Sequence, residues 1–315
     1  MRNLFVGIDI GGTGIKGILT DEDGKLYAEA DIRTGVKDGN QAVCDNIAYL
    51  IEKLTEGKNR NDILGIGMGC PGIIDRRHGA VVFSANLNMR NFPLANEIER
   101  RVMMPVVMAN DAHTAALGES VFGAGSDYRN SILATLGTGI GGGVVIDDRL
   151  FEGGGSAGTE IGHMVIVEGG ELCACGRRGC FERYCSASAL TRITRRAMEE
   201  HPGSAMWNTY NLLTCSAKTA FDYMDTDPVA REIMDDFFHK LATGLANLAN
   251  IFRPEVIMIG GGMAAQKERL TAPVQKLFDE QLYGGTDYMP VKIVTASLGN
   301  KAGSYGAAAL MMGGD

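Results

Sequence analysis

Residues 131–146, SILATLGTGIGGGVVI, contain the spacing G-x-G-x-x-G at Gly137, Gly139 and Gly142. That spacing marks a dinucleotide site only when a strand precedes the glycines and a helix follows, because the pyrophosphate rests on the helix N-terminus. Here the glycines lead into VVIDDRLFEG, a β-branched run with a hairpin turn at Asp147-Asp148. A strand follows, not a helix, so the dinucleotide reading is rejected. What remains is a strand–glycine turn–strand unit, and the chain opens with another of the same type. LFVGIDI at 4–10 predicts a strand, and GGTGIKGILTDEDGKLYAEADI continues as two more strands with a turn at Asp23-Gly24. Gly11, Gly12, Thr13 and Gly14 therefore fall in a hairpin turn, where backbone N–H groups and the Thr13 hydroxyl can face an anion. Asp9, at the end of the first strand, is placed to hold a hydrated Mg²⁺. Taken singly, either unit is also an ordinary hairpin. Two of them predict a duplicated α/β architecture with phosphates gripped between its halves.

The rest of the chain alternates helices and strands. Apolar residues at Val43, Ile47, Leu50, Ile51 and Leu54 have helical spacing over 40–56. ILGIGMG reads as a buried strand ending in a CPGIID turn, and VVFSANLNMRNFPLANEIERR as a strand, a polar loop and a helix opened by Pro93. PVVMANDAHTAALGES predicts a short strand, the pair Asn110-Asp111 and an alanine-rich helix; that pair reads either as a helix N-cap or as a functional site. SASALTRITRRAMEE predicts a helix capped by Ser186 or Ser188. Residues 201–228 are polar and uneven, a small helical excursion carrying Trp207, with no readable function. From Pro228 a long helix leads to the strand VIMIGGGMAAQ, whose Gly260-Gly261-Gly262 turn opens another helix. PVKIVTAS and the small-residue helix AGSYGAAALMM close the chain.

Between the second glycine unit and the Ser-capped helix lies EIGHMVIVEGGELCACGRRGCFE, with the spacing H-x9-C-x-C-x4-C over His163, Cys173, Cys175 and Cys180. Three thiolates and one imidazole form the donor set of a closed, tetrahedral structural zinc site. Gly176 and Gly179 let the chain turn between ligands, and Glu160 and Glu182 bracket the cluster. A disulfide or a chance run of buried thiols is the alternative. The odd total of seven cysteines and the absence of a secretory leader weigh against it.

Net charge −8 argues against a nucleic-acid partner, which calls for a basic face. No apolar run approaches the length of a membrane span, and seven cysteines without a secretory leader suggest a reducing cytoplasm.

DIGGT at 9–13, CPG at 70–72, ND at 110–111, LGTGIGGG at 136–143, EIGH at 160–163 and CACGRRGCFE at 173–182 together resemble the ROK family of repressors and sugar kinases. The motifs occur in the family's order along nearly the whole chain. The resemblance implies a two-lobed actin-like ATPase fold, with ATP and a sugar meeting in the cleft between lobes. It divides the chain into an N-terminal lobe (1–112), a C-terminal lobe (113–296) and a last helix (297–315) returning to the first lobe. It makes Asp111 the catalytic base, with Asn110, Asn86 and Gly72 at the sugar, and Glu160, His163 and Glu182 on the sugar hydroxyls. Asp9, Gly11, Gly12, Thr13 and Lys16, with Thr138 and Gly139, match the phosphate side, and Gly261 and Gly262 the adenosine side. His163, Cys173, Cys175 and Cys180 match zinc ligands, so His163 would serve both metal and sugar.

Two departures stand out. Asn86-Leu87 is followed by Asn88-Met89 where the family's kinases often carry a Trp, and GTEIGH replaces the more usual AGEIGH, which singles out Thr159. The implied activity is MgATP-dependent phosphorylation of a hexose, glucose first, giving the 6-phosphate. N-acetylmannosamine, fructose, mannose and allose stay open, and a homodimer is the family's common form. The rival is a repressor of the same family, which would carry a helix-turn-helix before the DIGGT-like strand, whereas that strand starts here at Leu4.

Overall fold

The computed structural model describes residues 3–313, which form two compact units. The first comprises Met1–Leu133, Gly142–Thr159 and Ala296–Asp315; the second comprises Ala134–Gly141 and Glu160–Thr295. In chain order the elements begin β1 (Leu4–Ile10), β2 (Gly14–Asp21), β3 (Leu26–Arg33), α1 (Asn40–Thr55), β4 (Ile63–Cys70), β5 (Ile73–Asp75), β6 (Ala80–Ser84), β7 (Met89–Phe92), α2 (Leu94–Val102), β8 (Val106–Asn110) and α3 (Asp111–Phe122). They continue β9 (Ser131–Leu136), β10 (Ile140–Ile146), β11 (Arg149–Phe151), α4 (Glu182–Cys185), α5 (Ala187–Glu200) and α6 (Ala217–Tyr223). The last are α7 (Pro228–Phe252), β12 (Val256–Gly260), α8 (Glu268–Asp279), β13 (Lys292–Thr295) and α9 (Ala302–Ala309).

One sheet runs β3-β2-β1-β4-β8, antiparallel through the hairpins and parallel from β1 to β8. A second runs β11-β10-β9-β12-β13. No helix follows the glycines at 137–143, as the rejected dinucleotide fingerprint would require. In the first sheet β1 and β4 are buried along almost their whole length, which is why they read as continuous apolar runs. Helix α1 covers one face with Val43, Ile47, Leu50, Ile51 and Leu54, all within 1% of full burial. Burying each such side chain stabilises the fold by about 1.5–3 kcal/mol.

Helix α9 covers β1 and β4 at backbone distance. A Cβ on Gly7 would lie 1.9 Å from the Ser304 carbonyl oxygen, and one on Gly67 would lie 1.6 Å from that of Ala307. The crossing of α3 and α9 is equally close, with a Cβ on Gly306 falling 1.6 Å from the Thr114 carbonyl. No side chain fits at these positions. Both α3 and α9 lie in the first unit, which runs to Leu133 and takes in 142–159.

Two expectations need correction. The polar loop after residue 84 contains β7, and the CPGIID turn contains β5, so β5-β6-β7 form a small antiparallel sheet. Asn88 and Asn91 adopt left-handed backbone there, which asparagine tolerates and which disguises the strand as loop. After Gly260-Gly261 comes a 3-10 turn over Gly262–Gln266, and α8 opens only at Glu268.

In the second unit α7 opens on Pro228 and is capped by the buried Asp227, whose Oδ1 accepts from the amides of Val229 and Ala230. Its Oδ2 accepts from the Ser204 hydroxyl and the Ala205 amide, which pins the 201–228 excursion to the start of the helix. Phe221 of α6 then packs edge-on against Phe237 and Phe238 of α7.

Candidate active site

In the first unit, the chemistry gathers where β1, β4 and β8 end. Asp111 is the first residue of α3, and Asn110 caps that helix: its Oδ1 accepts from the amides of Ala112 at 2.8 Å and His113 at 3.3 Å. The Asn110 Nδ2 donates to the Gly72 carbonyl at 3.0 Å. The N-cap reading of the pair holds, and the same side chain ties the CPG turn to the start of α3. Gly72 has φ +111°, and a Cβ there would lie 2.2 Å from the Phe83 carbonyl oxygen, so the turn requires glycine.

Burial raises the Asp111 carboxyl pKa above the usual carboxylate range, against the lowering effect of its own and the Ala112 amides and of His113. Burial, then the charge of Asp111, push Asp9 up to about 6, with Lys16 pulling the other way. Lys16 is the register partner of Asp9 across the β1–β2 hairpin. The two partly buried carboxylates thus lie near enough for the charge of Asp111 to raise the cost of ionising Asp9, and they could hold a divalent cation. Gly303 of α9 closes against it; a Cβ there would sit 2.7 Å from Asp9 Cγ.

The first glycine turn is closed by the Gly11 amide donating to the Gly14 carbonyl at 2.9 Å. Thr34, fully buried after β3, donates its hydroxyl to the Gly11 carbonyl at 2.6 Å and its amide to the Thr13 carbonyl. With those carbonyls turned inward, Thr13 is left exposed at the tip. A Cβ on Gly12 would lie 3.2 Å from the Asn86 carbonyl oxygen, so Asn86 and the first glycine turn are neighbours.

In the second unit, the ligand atoms of His163, Cys173, Cys175 and Cys180 lie within 4.8 Å of one another. Cys173 Sγ is 3.7 Å from His163 Nδ1, and Cys175 Sγ is 3.6 Å from Cys180 Sγ. A tetrahedral zinc with Zn–S near ~2.3 Å sets its ligand atoms roughly 3.6–3.8 Å apart, so the four could hold the ion. All seven cysteines are free thiols. Because Nδ1 faces the cluster, Nε2 of His163 is the nitrogen left for another partner. Glu182 opens α4 beside the cluster, its Oε1 3.3 Å from Cys173 Sγ. Its Oε2 accepts from the Ile140 amide at 3.4 Å, and a Cβ on Gly139 would meet that oxygen at 2.6 Å. Glu182 thus joins the metal-ligand loop to the second glycine turn. Glu160 is exposed at the start of the 3-10 turn Ile161–His163.

A cavity of about 940 Å³ in the same unit is lined by Thr138 and Gly262, both expected on the nucleotide side. Its other walls come from α5 (Ser188, Arg192) and α6 (Lys218, Phe221). Gly261, next to this lining, has φ +76°, and a Cβ on it would meet the Leu136 carbonyl oxygen at 2.5 Å. Sequence reasoning missed α6 as a cavity wall, along with Thr34 and Gly303. The Ser216 amide donates to the Thr219 hydroxyl at 3.0 Å at the start of α6.

Residues 5–313 match the family model of the ROK family. The chain belongs to the ROK family. A glucokinase of Halalkalibacterium halodurans is 36% identical over 313 residues, covering 96% of this chain and 93% of its own. The solved ROK glucokinase of Streptomyces griseus, in complex with glucose and AMPPNP, superposes with a TM-score of 0.80 at 34% identity, over 99% of this chain and 100% of that one. A xylose repressor of Caldicellulosiruptor bescii is 28% identical over 98% of this chain and 78% of its own length. The fold is the actin-like ATPase fold of ROK sugar kinases. Among the described residues no helix is long and apolar enough to cross a membrane.

Proposed function

We propose that this ROK protein is a glucokinase, transferring the γ-phosphoryl group of ATP to the 6-hydroxyl of glucose. The observation that carries the reading is Asp111: a half-buried carboxylate of raised pKa on the first turn of a helix, oriented by Asn110 and the amide of Ala112. A base of that kind accepts the proton as the sugar oxygen bonds to phosphorus and the bond to the ADP oxygen breaks. The transferring group's charge spreads over its oxygens, so catalysis is mostly positioning and electrostatic stabilisation. Amides of Gly12 and Thr13 and of the Thr138–Gly139 turn supply donors to the phosphates, Asp9 and Lys16 set the local charge, and Gly261 and Gly262 border the adenosine.

Asp9 would hold a hydrated magnesium ion, which would supply neutralisation of phosphate charge. His163, Cys173, Cys175 and Cys180 would hold a structural zinc ion, which would fix the loop. With Nδ1 committed there, His163 offers Nε2–H to a sugar hydroxyl, and Glu160 and Glu182 accept from others. Asn110 and Gly72 complete the sugar side, and Asn86 borders the phosphate turn. A site of paired carboxylates and amides rejects sugars lacking a hydroxyl, because its own polar groups would be left unpaired. The working assembly is a homodimer.

A coupled ADP-release assay over glucose, mannose, fructose, allose and the N-acetylhexosamines tests the reading. Turnover highest on glucose is expected; turnover confined to N-acetylmannosamine or fructose would replace the sugar, and none on any hexose would refute the kinase.

A further inference from the structure

Thr159, immediately before Glu160, sits in the left-handed region at φ +58°. A β-branched side chain is a genuine outlier there, and it persists only where its surroundings hold it. What holds it is His113, two residues beyond Asp111 on α3. Thr159 Oγ1 lies 2.5 Å from His113 Nε2, and His113 is 4% exposed. On the other side of the ring, Nδ1 faces Glu152 Oε1 at 3.7 Å, both atoms buried and otherwise unpartnered. Arg76 donates to the second oxygen of Glu152 at 2.9 Å. Glu152 therefore remains a carboxylate: burial would raise its pKa, but His113 and Arg76 outweigh that and lower it. A carboxylate facing Nδ1 favours the proton on that nitrogen, which leaves Nε2 as acceptor and makes the Thr159 hydroxyl the donor.

We infer that Arg76, Glu152, His113 and Thr159 form a positioning relay that locks residue 159 in its strained conformation and so sets the backbone from which Glu160 reaches the sugar. The inference rests on the reading of Glu160 as a sugar contact. His113 touches no reacting atom in this scheme. It gives the helix carrying the base a second task, that of orienting the residue before a sugar-binding carboxylate. The hydroxyl of Thr159 is the atom that matters: without it the left-handed conformation has no anchor, and residue 159 is free to relax.

The test compares three substitutions. Thr159→Val keeps the shape and strain but loses the hydroxyl, Thr159→Gly adopts φ +58° without strain and also loses it, and Thr159→Ser keeps the hydroxyl. The Val and Gly variants should raise KM for glucose roughly five- to tenfold, the worth of one hydrogen bond, with KM for ATP within about twofold of wild type. The Ser variant should stay near wild type on both. Amide hydrogen exchange over 157–163 should quicken in Val and Gly and not in Ser. The Gly variant keeps the test decisive if Val fails to fold. A Gly variant with wild-type KM for glucose, or one raising both KM values equally, overturns the inference. Wild-type protein that turns over no hexose would instead sink the kinase reading, while the exchange data would still decide whether the hydroxyl holds the loop.

Discussion

Asp9 ionises at a cost to the fold, and the cost can be removed. Its carboxyl moves from 3.8 to about 6, through burial first and the Asp111 charge second. At 1.36 kcal/mol per unit, ionised Asp9 destabilises the folded protein by about 2–3 kcal/mol. The sign follows from proton counting. Between the unfolded and folded pKa values the native state holds more protons, so stability falls as pH rises through roughly 4–6 and is level above 7. Asp9→Asn removes the charge while keeping the shape, so the variant should be more stable than wild type at pH 8 in magnesium-free buffer. For a unit of this size the gain corresponds to roughly 4–10 °C in thermal midpoint. At pH 4.5 most of the wild-type carboxyl is protonated, and the gap should shrink to about a third of its pH 8 value. Differential scanning calorimetry at the two pH values reads this directly, with a coupled assay confirming that the stabilised variant has lost activity. A variant less stable than wild type at pH 8, or a gap that does not change with pH, would refute the reasoning.

Asp111→Asn should cut turnover roughly 10²–10⁴-fold, the usual cost of losing a general base, while calorimetry finds near-normal glucose affinity. Cys175→Ser replaces a thiolate ligand with a poor one: metal analysis should find zinc lost, and kinetics a raised KM for sugar with little change for ATP. Glu119 is fully buried, its Oε1 accepting from the Leu298 amide at 2.7 Å and its Oε2 from the amides of Ala124 and Ser297. Glu119→Gln turns an NH₂ group toward at least one of those donors, so urea denaturation should show a loss of about 1–3 kcal/mol.

Much of this was legible in the chain. The strand–glycine–strand units announce themselves because a hairpin turn needs glycines in fixed places, and α1 because five apolar residues repeat at helical spacing. The Cys/His loop is readable because coordination chemistry restricts which residues recur. Features that depend on long-range proximity were not. Thr34 reads as any threonine after a strand; only the fold places its hydroxyl on the Gly11 carbonyl. Gly303 reads as one more small residue in a helix until α9 is laid against Asp9. The α6 segment read as a helical excursion without function because its two tasks, packing Phe221 on α7 and walling the cavity with Lys218, are set by other elements. β7 was hidden because Asn and Arg are poor strand formers in isolation and are held in place by cross-strand pairing to β6.

The raised carboxylates and the glycine-mediated packing of the first unit are one feature seen from two sides. A buried acid ordinarily relieves its burden by swinging toward water or by drawing water in, and its pKa then falls back toward normal. Asp9 is denied both routes on the side where α9 lies, because Gly303 brings helix backbone to within contact of its carboxyl. The helix can lie there only because Gly7, Gly67 and Gly306 let β1, β4 and α3 meet it without side chains between. Ala at Gly67 would need the Ala307 carbonyl to retreat from 1.6 Å to beyond 3 Å, moving α9 as a body and opening space beside Asp9. Gly67→Ala, though two strand positions from Gly69, the register partner of Asp9, should therefore lower the Asp9 pKa as well as destabilise the fold. The test is whether the extra stability gained by Asp9→Asn at pH 8 shrinks in the Gly67→Ala background. An unchanged gain would mean that the approach of α9 does not set the acid's burden.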